Sequence, residues 1–362
     1  MSGLARFFAW VRRYERHLSA LAMVAGFIAD NLLFKRVDIF QTQLLLAGYS
    51  LACFVSIPWL HHLESRPVPP RSRVILRFVT QFALGGFWSA FVIFYARAAV
   101  WSASWPFLLL LFLVFVGSEY FHKYHARLVF TSILFFLALY SAAIFSLPIY
   151  THTIGTMTFI GSGLVAVGVF TLFTMLLRRL ARERFRADVW RIRAGALGVL
   201  AVMNLFYFTS ILPPLPVTAP AAGIYHSVER VPGAYIGTAE AEPWTVRWLG
   251  FTPTEHLMRG SSLSAFSAVF APAALHAAIT HRWEWYDGSG RGWVTEAVIT
   301  YPITGGRASG YLGYSTMPIN EAGSWRVDVE TADGRLIARI PFTAAFVPSA
   351  SSTPPLSTVT LD

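Results

Sequence analysis

The chain has 362 residues, 55% hydrophobic and only 13% charged, with a formal net charge of +10. A soluble globular domain carries about 25% charged residues, so the composition argues against a wholly soluble protein. A pI near 10.0 would fit nucleic acid, but the basic excess falls between apolar runs. It therefore reads as membrane topology facing anionic lipid headgroups, with no nucleic-acid partner.

Residues 1–212 hold 20 Lys or Arg against 7 Asp or Glu; residues 213–362 hold 9 Arg, no Lys and 12 Asp or Glu. Two physical regimes follow, a membrane region and an extramembrane domain. A span needs about 20 apolar residues. Runs of that kind predict about seven transmembrane helices, near 17–34, 40–60, 78–96, 104–119, 128–149, 154–177 and 194–212. The first run follows a basic start but lacks a small-residue cleavage site, so a span is expected and not a cleaved leader. Cys53, the single cysteine, lies inside an apolar run and reads as a small core residue.

Charge between the spans orients them. With the N-terminus inside, 17 basic residues fall on the inner side, among them Arg66, Arg71, Arg73, Arg77, Lys123, Arg127 and the run from Arg178 to Arg193. Only Lys35, Arg36 and Arg97 fall outside. This positive-inside bias places the C-terminal domain outside, in the periplasm of a bacterium whose inner membrane holds the bundle. Gly85, Gly86, Ser89 and Ala90, and again Gly161, Gly163 and Gly168, put small residues where helix backbones approach closely.

Three ionisable groups inside spans are candidate functional residues, because charge in hydrocarbon is costly: Asp30, Arg97 and Glu119. Asp30 and Arg97 lie toward the outer face, where pairing or simple interfacial snorkelling is expected. Glu119 begins a Glu-x-x-His with His122, but a second such pair, which a di-metal bundle site needs, is missing. His61, His62 and Glu64 read as residues of an inner loop.

Residues 213–222, proline-rich, are expected to form an extended stalk. Residues 223–347 alternate with period two and predict an antiparallel β-sandwich, with strands at 224–230, 233–240, 264–270, 276–286, 293–301 and 307–316. The stretch 324–342 predicts a hairpin about Asp333-Gly334, with Trp325, Val327 and Val329 on one face. The tail 348–362, rich in Ser, Thr and Pro, is expected to be disordered.

No Gly-x-Ser-x-Gly elbow, His-Glu-x-x-His, Walker loop or Cys/His metal spacing occurs in this domain. Catalytic residues, metal and cofactor are therefore not expected. HRWEW (281–285) is either an aromatic recognition strand or a core strand. The glycines at 305–313 read as a binding turn or a bulged hairpin. The candidate binding set is His281, Arg282, Trp283, Trp285, Arg307, Tyr311 and Trp325.

FSAVFAP (266–272), HRWEW (281–285), GGR followed by GY (305–311) and GSWRVDVETADGRLI (323–337) together resemble the bacterial family called domain of unknown function 2914. There an H-x-W strand, a Gly-Arg segment and a G-x-W-R-V hairpin recur in this order. GFIAD (26–30), KRVDIF (35–40), FALGGFWSAFVIFYARAA (82–99), WPFLL (105–109), and PPLP with IYHSVER (213–230) look like the membrane region that accompanies it. The resemblance implies an architecture and no catalytic residue, substrate or cofactor. The expected function is therefore a non-catalytic membrane anchor presenting a β-sandwich to an envelope protein or glycan. The alternative is a small-molecule or lipid transporter or sensor using the intramembrane polar residues.

Overall fold

The computed structural model describes residues 28, 30–31, 38–64, 70–120, 128–214, 216–232, 234–241, 251–272, 275–307, 309–349 and 353–361. Six helices come first among these: α1 (Phe40–Glu64), α2 (Pro70–Ala98), α3 (Trp101–Tyr120), α4 (Leu128–Thr151), α5 (Thr156–Leu180) and α6 (Arg182–Phe208). Five are long and apolar enough to cross a membrane; α3 offers only a shorter apolar stretch, Ser102–Val116. Seven spans are thus not supported among the described residues, and the expected span 17–34 lies almost wholly outside them. The six other expected spans correspond to the six helices.

One expected inner loop is corrected. Residues 182–193 are not a loop but the first half of α6, separated from α5 by a bend at Ala181 alone. Arg, Ala and Glu are strong helix formers, so charge does not end the helix here. At 1.5 Å per residue a 27-residue helix reaches about 40 Å, against about 30 Å of hydrocarbon. The arginine-bearing turns can stand outside while the apolar half crosses.

The chain folds as two compact units. The first comprises Met1–Ala96, Phe107–Ala143 and Gly163–Met203; the second comprises Arg97–Pro106, Ile144–Ser162 and Asn204–Asp362. In the first, helices approach where side chains are small. A Cβ on Gly86 would meet the Tyr49 ring at 2.5 Å, and one on Gly195 would meet Ile133 at 2.1 Å. Ser56 and Thr80 share a buried hydrogen bond of 2.7 Å between α1 and α2, and Cys53 is buried. Leu51, Phe78, Phe82, Phe112, Leu172 and Leu197 are exposed. Large apolar side chains facing outward suit lipid and would be a liability in water.

Among the described residues the second unit carries eleven strands in three sheets. β1 (Thr218–Tyr225), β5 (Ser262–Phe270) and β8 (Tyr311–Pro318) form one. β4 (Thr254–Leu257), β10 (Leu336–Phe346), β9 (Gly323–Thr331), β6 (His276–Asp287) and β7 (Gly292–Thr304) form the second, in that order. β11 (Leu356–Leu361), β3 (Ala234–Glu240) and β2 (Ser227–Val231) form the third. β4 pairs with β10 in parallel, so the all-antiparallel expectation gives way to a mixed architecture.

Two cores explain the layering. Leu263, Ala265 and Val269 of β5 join Ile279, Trp283, Trp325, Val327, Val329, Ile340 and Phe342 in the larger one. The alternate residues Phe266 and Ala268 join Val228 and Leu361 in a second core. Successive strand residues point to opposite faces, so β5 is a middle-layer strand buried on both sides. That is why it holds only small or apolar residues, with Ser264 and Ser267 as buried as their apolar neighbours.

Three segments depart from expectation. Residues 218–222 of the expected stalk belong to β1, paired with β5 from Thr218↔Phe270 to Ala222↔Ser267. Residues 356–361 of the tail form β11, paired in register with β3 from Leu356↔Glu240 to Leu361↔Tyr235; Leu361 contributes the apolar anchor. Residues 305–310 are not a bulged hairpin but a crossover from β7 in one sheet to β8 in another. A Cβ on Gly305 would fall 1.9 Å from the Pro272 carbonyl oxygen, and Gly310 has φ of +97° against the β5 backbone. Glycine is required at both.

Candidate functional site

The strand β6 alternates as its sequence suggests. Trp283 is 0% exposed and Trp325 on β9, 2%; both lie in the core and so cannot face a soluble ligand. His281 is also fully buried. Its Nε2 lies 2.9 Å from Ser267 Oγ and 3.0 Å from Tyr301 Oη, and its Nδ1 lies 2.8 Å from Ser315 Oγ. Trp283 Nε1 donates to the same Ser315 oxygen at 3.0 Å.

One bond of this network has a fixed direction. Indole N–H is an obligate donor, so Ser315 accepts from Trp283. In the tautomer where Ser315 gives its own proton to His281 Nδ1, the imidazole donates from Nε2 toward Ser267 and Tyr301. Burial holds the His281 pKa down to about 4 and pushes the Tyr301 phenol up to about 12, so both are neutral near pH 7. The network fastens β6 and β7 to β5 and β8 of a different sheet.

The outward face of the five-stranded sheet carries paired charge. Arg282 donates to Glu330 from Nε and Nη2, the latter at 2.9 Å. Arg326 Nε donates to Glu284 at 2.5 Å and Arg339 to Asp328 at 2.6 and 2.7 Å. The Glu330 carboxylate raises the Arg282 pKa. At the β6–β7 turn this face becomes aromatic. Tyr286 and Trp293 are 48% and 39% exposed, meet edge to face at 5.3 Å, and Arg326 Cζ lies 4.2 Å over the Trp293 ring. Trp285 is half-buried and donates to the Ala322 carbonyl. Arg307 is exposed on the crossover and Tyr311 is half-buried at the start of β8. Tyr286 follows the alternation of Arg282 and Glu284 on β6, whereas the face of Trp293 depends on the extra residue that β7 carries at Glu296, where Trp283 pairs with Ala297 and Glu284 with Thr295; alternation along β7 alone does not foresee that shift.

A second cluster unites segments far apart in sequence. His226 sits in the bend between β1 and β2, Glu240 ends β3, and Glu255 and His256 lie on β4. His226 Nε2 is 3.0 Å from Glu240 Oε1 and 3.4 Å from Glu255 Oε2. His256 holds Glu240 from two sides, by its backbone N–H at 2.6 Å and its Nδ1 at 2.8 Å. The Glu255 carboxylate, and Glu240 after it, raise the His226 pKa against the opposing effect of burial. One ligand atom from each of His226, Glu240 and Glu255 lies within 4.8 Å of the others.

In the first unit, His61, His62 and Glu64 are not loop residues but the last turn of α1. Glu64 accepts from Arg77 of α2 at 3.0 Å and from Arg184 of α6. His62 Nδ1 contacts the Leu180 carbonyl at 2.6 Å. The group is an interhelical clamp. Asp30 is helical and half-buried in the first unit, Arg97 is exposed in the last turn of α2, and Glu119 lies in the last turn of α3. His122 and His125 lie outside the described residues. Within the second unit, Arg335 of the β9–β10 turn covers the Tyr207 ring at 3.9 Å and donates to the Leu212 carbonyl at 2.5 Å.

Residues 276–344, from β6 into β10, match the family described as protein of unknown function (DUF2914), the family that the H-x-W, Gly-Arg and G-x-W-R-V motifs indicated. No curated protein matches the chain. Among solved structures, an alkylpurine DNA glycosylase from Pseudomonas fluorescens bound to DNA with an abasic-site analogue aligns at 8% identity. It covers 86% of this chain and 99% of its own, with a TM-score of 0.23. A β-glucosidase from Listeria innocua in complex with gluconolactone aligns at 13% identity over 38% of this chain and 18% of its own, with a TM-score of 0.20. Neither likeness is close enough to carry an argument about fold or activity.

Proposed function

We propose that this is a non-catalytic binding protein of a bacterial inner membrane, whose β-rich unit faces the periplasm and engages an envelope protein or glycan through the outward face of its five-stranded sheet. The observation that carries the reading is the exposed Tyr286–Trp293 pair with Arg326 stacked on it. Aromatic and arginine side chains held rigid at a surface are the usual anchors of binding interfaces. Beside them β7 is the edge strand of its sheet, 13 residues long, and an open edge offers backbone groups to a partner. The flanking charges are already paired, which favours specificity over bulk electrostatic attraction. A transporter would instead require Asp30, Arg97 and Glu119 to converge on one path, and no observation favours that.

A photo-cross-linking residue placed at Trp293 in the full chain, in its native membrane, tests this. The expected result is a discrete adduct with an envelope protein or glycan that disappears when Arg326→Ala is added. A pattern identical to that from a probe at the exposed Thr358 on β11, or no adduct at all, overturns it.

A further inference from the structure

We propose that His226, Glu240 and Glu255 form a binding site for a divalent transition cation, with zinc the best match, and that His256 positions Glu240 for it. The first support is charge balance. Two carboxylates face each other with one imidazole between them, and neither pairs with Lys or Arg among the described residues. Their partners are the His226 and His256 imidazoles, so the cluster stays negative unless both are protonated, whereas a dication with both imidazoles neutral brings it to zero. Burying unbalanced charge is costly.

The second support is a carboxylate oxygen without a hydrogen-bond donor. Glu255 is 7% exposed, and its Oε2 is buried with no hydrogen-bond partner among the described residues. It points at His226 Nε2 from 3.4 Å. One N–H cannot serve Glu240 at 3.0 Å and Glu255 at 3.4 Å with good geometry at once. A metal ion can.

The third support is geometry. Zinc binds imidazole nitrogen and carboxylate oxygen at about 2.0–2.2 Å, and a tetrahedral site at that radius has ligand atoms about 3.4 Å apart. Of the two nitrogen–oxygen separations, 3.4 Å to Glu255 matches that value and 3.0 Å to Glu240 falls short of it by an amount that side-chain rotation can supply. Three protein ligands leave a fourth position for water or a donor from a partner. His256 plays a supporting part: its two contacts fix the Glu240 carboxylate plane, as residues behind metal ligands commonly do. The site joins β3 of one sheet to β4 of another, so the ion would cross-link two layers of the β-rich unit.

The test uses the full chain in detergent micelles, purified without a polyhistidine tag and stripped with chelator. Equilibrium dialysis against Zn²⁺, with metal analysis, should give one ion per chain and raise the melting temperature. Glu255→Gln, nearly isosteric, and His226→Gln should each weaken binding at least tenfold and abolish the rise in melting temperature. His256→Ala should weaken binding by about 10–100-fold. Co²⁺ should give the weak visible bands of nitrogen and oxygen ligation, without the intense thiolate absorption that Cys53 would produce. No stoichiometric ion, or affinity unchanged in both Glu255→Gln and His226→Gln, overturns the proposal. Because neither readout involves an envelope partner, failure here leaves the cross-linking at Trp293 to stand or fall alone.

Discussion

At the scale of single residues, His281 shows how burial turns a candidate contact into a structural fastener. Its pKa in the fold is about 4, against about 6.5 in an unfolded chain. Between these values the unfolded state binds the extra proton, so stability rises with pH there and falls as pH is lowered from 6.5 toward 4. Below 4 the folded form is protonated too and the loss levels off. The full difference is about 3 kcal/mol. Melting of the full chain should therefore drop through this window, and His281→Gln should flatten that part of the profile while lowering stability at pH 7. Equal pH dependence in both proteins would remove His281 as the cause. The parity of HRWEW was legible from alternation, because a strand puts Trp283 and His281 on one face whatever surrounds it. What alternation could not say is that the opposing layer supplies Ser267 and Ser315. The cluster at His226 was illegible for a stronger reason: its members come from three segments whose only proximity is tertiary.

Among the elements, strands with a two-residue period and a turn glycine were recoverable, as the β9–β10 hairpin shows. Its turn falls at Gly334, with φ of +75°. Elements whose character comes from their neighbours were not. β4 is four residues long and is defined by its parallel partner, and β11 is a Ser/Thr-rich segment that becomes a strand because β3 offers an edge. Stopping the chain after Pro348 should thus lower stability even though the segment looks like a tail. Leu361 is 5% exposed, and Leu361→Ala alone should cost about 2 kcal/mol, at the low end for a buried leucine. Thermal melting of the two variants beside the full chain measures this. An unchanged melting temperature in the truncated protein would mean that β11 does not hold the third sheet.

For the whole molecule, the six described helices make the side occupied by the β-rich unit a question of parity that no longer depends on residues 17–34. An even number of crossings between Asp38 and Leu212 returns the chain to the side on which it started. In the proposed orientation Lys35, Arg36 and Arg97 share that side, and Arg66, Lys123, Arg127 and the Arg178–Arg193 run lie opposite. The vulnerable member is now α3, because its apolar stretch Ser102–Val116 spans only about 22 Å against about 30 Å of hydrocarbon. A short span is accommodated by local thinning of the bilayer at modest cost. Failure to cross would strand Lys123 and Arg127 with the outer basic residues, against the positive-inside bias. Alkaline phosphatase, active only outside, is predicted to be inactive when fused after Tyr120 and active when fused after Pro220. Activity after Tyr120 would show that α3 does not cross, and inactivity after Pro220 would put the Tyr286–Trp293 face and the His226 cluster in the cytoplasm, ending the periplasmic reading.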